Sequence, residues 1–357
     1  MRLFSCAACQ NLLYFEHHAC TQCGALLGFV PQDMQLAAFD AAGDDRWRRE
    51  GSGALFRMCR NYAEHAACNW MVPADEPHAF CRACRLNRTI PNLGNPEHRT
   101  LWQKLEIAKR RLAYSLLRLR LPMQPRSTDP TGLAFDFLAD GEPTFHERKR
   151  VMTGHAQGLI TINIAEADPA HRMRQREDMA EPYRTLQGHF RHESGHYYWD
   201  RLVWDGPWLD DFRATFGDET QDYGQSLATH YQNGPPPDWN DRFVSSYASA
   251  HPWEDWAETW AHYLHIVDTL ETAYHFGLRI RARPVADDAV AAKHDFDAYT
   301  ETDFQRLVDH WLPLSFALNS LNRSMGHEHA YPFVLAPATL DKLGFVHRVV
   351  RASAAEP

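Results

Sequence analysis

The stretch His192-Glu-Ser-Gly-His196 constrains the fold of this chain more than any other. Two histidines four residues apart lie on one face of an α-helix, where both imidazoles can reach the same metal ion. Glu193 would point about 100° around the helix, close enough to hydrogen-bond a water on that ion. The pattern fits the H-E-x-x-H signature of zinc-binding helices. A chain with 21 histidines can match this pattern by chance, so the prediction of a metal site requires a third ligand elsewhere in the sequence.

A second predicted helix offers that third ligand. Glu254, Glu258 and His262 recur at intervals of four after His251-Pro252, and proline suits a first helical turn. A catalytic zinc site keeps three protein ligands and one open position. Carboxylates buried among the neighbouring tryptophans would be costly unless paired or bound to metal. We favour Glu254 as the ligand, with Glu258, His262 and Asp255 as alternatives.

Small residues predict that the two helices pack closely. Gly195 costs the first helix about 1 kcal/mol relative to alanine. One reason to keep a glycine there is the close approach of another backbone. Ala257 and Ala261 lie beside the carboxylates of the second helix and would allow this approach.

The eight cysteines form two sets of four, all before residue 85. A Cys-x-x-Cys pair can present two thiolates to one tetrahedral ion, so the sequence predicts two structural zinc ions. The two sets are Cys6, Cys9, Cys20 and Cys23, and Cys59, Cys68, Cys81 and Cys84. In the more widely spaced second set, His65 could replace a cysteine, or two thiols could be free. Clustered metal-binding cysteines are typical of a reducing compartment, and we expect a cytoplasmic protein.

Composition narrows the range of partners. The net charge of −9 argues against a nucleic-acid-binding surface, which needs net basic charge. No apolar run approaches the roughly 18 residues of a membrane span, and the N-terminus has no apolar segment of signal-peptide length. We therefore expect a peptide or protein substrate, with no nucleic acid and no membrane. The cysteine-rich region could bind a protein partner.

Hydrophobic patterns predict an α+β protein of about two domains. A small zinc-ribbon-type β module would occupy residues 1–96, a helix and linker 97–130, and a mostly helical domain with a small β-sheet 131–357. Residues 135–138 and 151–166 alternate as strands do, and an edge strand there could pair with an extended peptide. Helices are predicted at residues 97–121, 208–216, 222–231, 253–276, 303–324 and 337–351.

Several phrases of the sequence resemble a known family. His192-Glu-Ser-Gly-His196 followed by Glu254-Asp-Trp-Ala-Glu258 resembles the gluzincin class of zinc peptidases. A tyrosine, six residues and Glu-x-x-Ala-Glu are similar to the catalytic domain of anthrax lethal factor. Over the whole chain, the phrases CNWMVPAD, FCRACRLNRTIP, HFRHESGHYYWDRL and PWEDWAETWAHYLHI resemble bacterial zinc-binding metallopeptidases that join an N-terminal zinc-ribbon region to a zincin-like domain.

The resemblance implies a role for each matching residue. His192, His196 and Glu254 would bind a catalytic zinc, and Glu193 would be the general base. Asp255 follows Glu254 where lethal factor has an aromatic residue, and this departure leaves open which carboxylate binds the metal.

Two further roles come only from the resemblance. Glu258 would orient a ligand histidine by accepting its second N–H. Tyr247 would donate a hydrogen bond to the oxyanion of the tetrahedral intermediate. The sequence thus predicts zinc-dependent peptide hydrolysis with one catalytic and two structural zinc ions. The rival hypothesis is a zinc-ribbon module that binds protein or nucleic acid, carrying a metallopeptidase scaffold of little or no activity.

Overall fold

The computed structural model describes residues 2–141, 151–178, 185–283 and 290–354. The chain forms two compact units, one of Met1–Leu117 with Met123–Asp178 and one of Arg118–Pro122 with Met179–Pro357. Helices and strands are both well represented, so the predicted α+β class is confirmed. Within these described ranges, no helix is long and apolar enough to cross a membrane.

The first unit begins with a short hairpin and a five-stranded antiparallel sheet. The hairpin pairs β1 (Phe4–Ser5) with β2 (Leu12–Leu13). The strands of the sheet follow one another in sequence order. They are β3 (Leu26–Val30), β4 (Gln35–Ala41), β5 (Arg46–Arg49), β6 (Leu55–Met58) and β7 (Met71–Pro73), with the one-turn helix α1 (Arg60–Ala63) between the last two.

This sheet curves back on itself around an aromatic core. Phe29 of β3 forms a parallel bridge with Trp70, the residue before β7, so the first and last strands come together. The Phe29 and Trp70 rings lie 4.9 Å apart, and both are fully buried with Phe15. The cysteine-rich region therefore has an apolar core of its own.

A second sheet of four strands completes the first unit, with order β10-β11-β9-β8. Its elements are β8 (Asn87–Thr89), α2 (Pro96–Arg118), β9 (Ala134–Leu138), β10 (Gly154–Ala156), β11 (Leu159–Asn163) and α3 (Pro169–Asp178). β10 and β11 form a hairpin whose two turn residues, Gln157 and Gly158, both have positive φ, as a type I′ turn requires. The strand predicted at residues 135–138 is confirmed, whereas the stretch 151–166 forms two short strands joined by this turn and ends in a 3₁₀ turn at Ile164–Ala167.

The second unit is mostly helical. Its helices are α4 (Leu186–Tyr198), α5 (Leu209–Phe216), α6 (Tyr223–Asn233), α7 (Trp239–Arg242), α8 (Pro252–His275), α9 (Phe304–Ser324) and α10 (Pro337–Ala354), and its only described strands are β12 (Arg279–Arg281) and β13 (Ala291–Lys293). Each helix predicted for this part of the sequence is confirmed to within a few residues. The long helices α4 and α8 pack against each other and carry the candidate site.

Candidate metal centres

Helix α4 places the H-E-x-x-H residues in a regular helical stretch. The Thr185 hydroxyl caps its first turn by accepting from the Gly188 N–H at 2.9 Å. The helix continues into a π-helical stretch at Trp199–Trp204, which follows the motif. His192 and His196 therefore lie one turn apart within unbroken α-helix.

Gly195 fixes how closely α4 and α8 approach. A Cβ atom added at Gly195 would lie 2.9 Å from the Ala257 Cα, closer than side chains tolerate. The Trp256 indole N–H donates to the Gly195 carbonyl oxygen at 2.8 Å, and the Trp260 N–H donates to the Ser194 hydroxyl at 3.2 Å. The close packing predicted from Gly195 and the alanines of α8 is confirmed at Ala257, and it brings α8 within reach of the two histidines.

Three donor atoms converge between these helices. The Oε2 atom of Glu254 lies 3.1 Å from His192 Nε2 and 3.6 Å from His196 Nε2. The two Nε2 atoms are 3.2 Å apart. The Glu254 carboxylate is only 1% exposed and His196 4%. A deeply buried carboxylate thus lies against two imidazole nitrogens.

These distances fit a tetrahedral zinc ion. Bonds of about 2.0–2.1 Å at tetrahedral angles place the donor atoms of a zinc site about 3.3 Å apart, close to the three separations between His192, His196 and Glu254. Burial favours the neutral carboxyl, but the two histidines outweigh it and hold the pKa of Glu254 well below its usual value. The site therefore keeps an ionised carboxylate where a cation would bind.

Glu258 lies one turn further along α8 and contacts His192 from the other side. Its Oε1 atom is 2.6 Å from His192 Nδ1, so the imidazole is held with Nε2 towards Glu254. Burial acts to raise the pKa of Glu258, but the hydrogen bond with His192 prevails and lowers it to about 2. The Ser245 hydroxyl donates to the remaining oxygen, Oε2, at 2.7 Å.

Two tyrosines stand beside the three donor atoms. The Tyr223 hydroxyl, on α6, donates to Glu254 Oε1 at 2.7 Å. The Tyr247 ring, in a 3₁₀ turn at Tyr247–Ala250, lies 6.0 Å from the His192 ring. Burial, followed by the charge of Glu254, raises the pKa of both phenols, so both remain hydrogen-bond donors at neutral pH. No sequence motif indicated Tyr223 or Ser245.

Glu193, the predicted general base, follows His192 on α4. Its side chain is buried, with 8% exposure. Within the described part of the chain, its carboxylate makes no hydrogen bond or ion pair, and its charge acts on Tyr223.

The other candidate ligands on α8 have different partners. Asp255 Oδ2 lies 2.6 Å from the Lys342 ammonium of α10, and its side chain is fully buried. His262 Nδ1 is 2.7 Å from the Tyr331 hydroxyl, and burial lowers its pKa to about 4. Neither belongs to the group of donor atoms formed by His192, His196 and Glu254.

The eight cysteines form two further groups in the first unit. Zn–S bonds of about 2.3 Å at tetrahedral angles separate sulfur atoms by about 3.8 Å. The observed Sγ–Sγ distances are 3.8 Å for Cys6–Cys23, 3.6 Å for Cys9–Cys20 and 3.8 Å for Cys68–Cys81. All four cysteines of each set come together, and His65 is not part of the second group. Both groups fit a four-cysteine zinc site.

Comparison with known proteins agrees with this organisation. The family described as "Putative zinc-binding metallo-peptidase" matches residues 98–349, and a family described as "zinc-ribbon domain" matches residues 3–95. An uncharacterized protein of Mycobacterium tuberculosis and one of Mycobacterium bovis are each 45% identical to this chain over 352 residues, which cover 98% of this chain and 95% of the relative. No solved structure matches the chain.

Proposed function

Because the chain belongs to the zinc-binding metallo-peptidase family, we propose that it hydrolyses peptide bonds at a zinc ion held by His192, His196 and Glu254. The observation that carries this proposal is the triangle of donor atoms, with sides of 3.1, 3.2 and 3.6 Å. In this proposal the site is of the gluzincin type, because a carboxylate supplies the third ligand, and residues 131–357 form a zincin-like domain.

The zinc ion, when bound, would lower the pKa of a coordinated water to about 7 and polarise the scissile carbonyl. Glu193 accepts the proton of the attacking water and passes it to the leaving amine. The absence of a hydrogen bond or ion pair from its carboxylate, among the described residues, supports this role. Tyr247, which stays protonated, donates a hydrogen bond to the oxyanion that develops on the carbonyl oxygen when water attacks the carbon.

Hydrogen bonds from neighbouring side chains would orient two of the three zinc ligands. Glu258 fixes His192 by bonding Nδ1, which leaves Nε2 for the metal. Tyr223 fixes Glu254 by bonding Oε1, which leaves Oε2 for the metal. Both contacts hold the donor atoms before metal arrives, and such preorganisation strengthens metal binding.

The two four-cysteine groups would each hold a structural zinc, so we expect three zinc ions per chain. If all eight cysteines bind zinc, none forms a disulfide, as is typical of proteins in a reducing compartment. We therefore propose a cytoplasmic location. The substrate would be a peptide or protein.

The direct test compares wild type with Glu193→Gln. Loss of the general base should lower the rate of casein cleavage by about 10²–10⁴-fold, because the amide cannot accept the proton. The zinc content, measured by mass spectrometry of the metal, should stay at three. Glu64→Gln is the matched control, because it makes the same change at an exposed position of the first unit.

Each result has a distinct meaning. Cleavage by Glu193→Gln at the wild-type rate would refute the mechanism. A wild-type protein that carries three zinc ions and cleaves nothing would instead support the rival hypothesis of an inactive scaffold that binds protein partners. A zinc content of two in wild type would refute the catalytic metal site itself.

A further inference from the structure

A cavity of about 610 Å³ in the first unit has an unusual charge pattern. All fourteen residues that line it belong to this unit, and among them are His78 and three arginines, Arg82, Arg85 and Arg88. None is an aspartate or glutamate, although the whole chain has 46 acidic and only 37 basic residues excluding histidine. Apart from Cys84, whose thiolate is assigned to a zinc site, the charged side chains of the cavity are therefore basic, and an anionic ligand would be attracted to the arginines.

Two of the arginines form ion pairs with carboxylates that lie outside the cavity lining. Arg85 pairs with Glu76 at 2.9 Å, and the Arg88 Nε donates to Asp136 at 2.9 Å. Neither carboxylate lines the cavity. Since a guanidinium has five N–H donors, each paired arginine keeps donors for a ligand. The ion pairs restrict the side chains, so less entropy is lost when a ligand binds.

Arg82 differs from the other two. Its side chain is exposed, and it makes no ion pair or side-chain hydrogen bond within the described ranges of the chain. All of its five donors are available. A planar, charged fork of this kind forms paired hydrogen bonds with carboxylates, which are stronger than bonds between neutral groups. Of the three arginines, Arg82 is therefore the one whose removal should most directly weaken the binding of an anion.

The size and the remaining walls indicate the kind of anion. A volume of 610 Å³ lies within the range of about 300–1,000 Å³ for ligand sites and is far larger than a simple inorganic anion requires. Phe80, Ile90 and Met123 contribute apolar surface to the same cavity. Carboxylates next to apolar side chains match these walls.

We propose that this cavity binds an acidic peptide segment, with glutamate or aspartate side chains at the arginines and an apolar side chain against Phe80 and Ile90. The arginines supply charge-assisted hydrogen bonds, and the apolar wall adds burial. The proposal concerns binding by the first unit and does not depend on whether the second unit hydrolyses peptides.

Fluorescence anisotropy with a short labelled peptide tests the proposal. The probe alternates glutamate and leucine and is amidated at its C-terminus, and a second probe has glutamine in place of glutamate. The protein is the full, zinc-loaded chain carrying Glu193→Gln, so that the probe stays intact. The glutamate probe should bind at least about tenfold more tightly than the glutamine probe, because only the former has carboxylates for the arginines.

Arg82→Ala should weaken binding of the glutamate probe about tenfold, which is the effect of losing one charge-assisted hydrogen bond. The control is Arg46→Ala, which removes an equal charge from an exposed position of β5, outside the cavity. It should change the affinity less than about twofold. Unchanged circular dichroism and zinc content would show that both variants fold.

Three results would overturn the proposal. Equal weakening by Arg82→Ala and Arg46→Ala would mean that only the overall charge matters. Equal binding of the two probes would mean that carboxylates are not recognised. If the glutamine probe with a free C-terminal carboxylate binds as tightly as the amidated glutamate probe, the site takes a chain terminus and not acidic side chains.

Discussion

Tyr223→Phe tests whether the position of Glu254 depends on a hydrogen bond from outside α8. The wild-type hydroxyl donates to Glu254 Oε1 at 2.7 Å, while Oε2 faces His192 and His196. Phenylalanine keeps the ring and removes only the hydroxyl. Without that donor, the carboxylate can rotate about its last bond, and Oε2 is no longer held towards the two imidazole nitrogens.

The size of the effect follows from the contact. A hydrogen bond to a charged group contributes about 1.5–3 kcal/mol, and losing a group that orients a metal ligand typically lowers metal affinity by about 10–100-fold. Tyr223 is 38% exposed, so water can partly replace its hydroxyl. We therefore expect the smaller loss in this range, with the affinity for zinc reduced about tenfold.

The assay is competition for zinc with a chromophoric chelator, which reports the most weakly held ion. Tyr274→Phe is the control, because it makes the same change on α8, twenty residues and about 30 Å from Glu254. Glu254→Ala removes the carboxylate ligand altogether and should therefore lose one of the three zinc ions, which is the largest effect expected at this site. Equal affinities for Tyr223→Phe and Tyr274→Phe would refute the positioning role. A lower kcat with unchanged zinc affinity would instead indicate that Tyr223 acts on the transition state.

Two further predictions concern the surroundings of α8. Ser245→Ala removes the hydroxyl that donates to Glu258 Oε2, so kcat should fall about tenfold while the zinc content stays the same. Ser245→Thr keeps a hydroxyl at this position and should restore most of the lost kcat. Failure of this rescue would contradict a hydrogen-bonding role for Ser245. Lys342→Met leaves the Asp255 carboxylate buried without its cation. Burial already raises the pKa of Asp255 to about 7, so the carboxyl can take up a proton and the free energy of unfolding, measured in urea, should fall by only about 3 kcal/mol. Adding Asp255→Asn should recover much of that stability, and no recovery would mean that Lys342 stabilises the fold in another way.

The sequence identified α4 and α8 because their signals are local. Residues four apart share a helical face whatever the rest of the chain does. The sequence could not decide among the candidate ligands of α8, since each step of four residues also rotates the side chain about 40° around the axis. As a result, Glu254 faces both imidazoles, Glu258 contacts only one of them, at His192 Nδ1, and His262 contacts Tyr331 instead.

Tyr223 could not be found from the sequence for a different reason. It lies 31 residues before Glu254, on a helix with no fully buried residue, so hydrophobic periodicity says little about which way α6 packs. Asp222 marks the start of that helix as a capping residue, and the prediction of its boundaries succeeded. The contact with Glu254 depends on tertiary packing that no local pattern encodes.

The second cysteine set shows how strand pairing can replace a tight spacing. Cys59 and Cys68 are too far apart in sequence to form a Cys-x-x-Cys turn. Cys59 follows β6 and Cys68 precedes β7, and these strands pair with Met58 opposite Met71. The antiparallel ladder therefore returns the chain to the same end of the sheet, where both thiols join Cys81. Arg46–Arg49 carries three arginines and gave no strand signal, so the β5 strand, and with it the full sheet, was missed.

The identity of the third ligand therefore depends on the distance between two helices as much as on the sequence of α8. The Gly195 carbonyl accepts from Trp256, and any Cβ at Gly195 would collide with Ala257. A wider separation would move Glu254 away from His196, which it approaches only to 3.6 Å. The glycine within H-E-x-x-H and the alanine within Glu-x-x-Ala-Glu thus serve the same end: they allow two helices to come close enough for one carboxylate to meet two imidazoles.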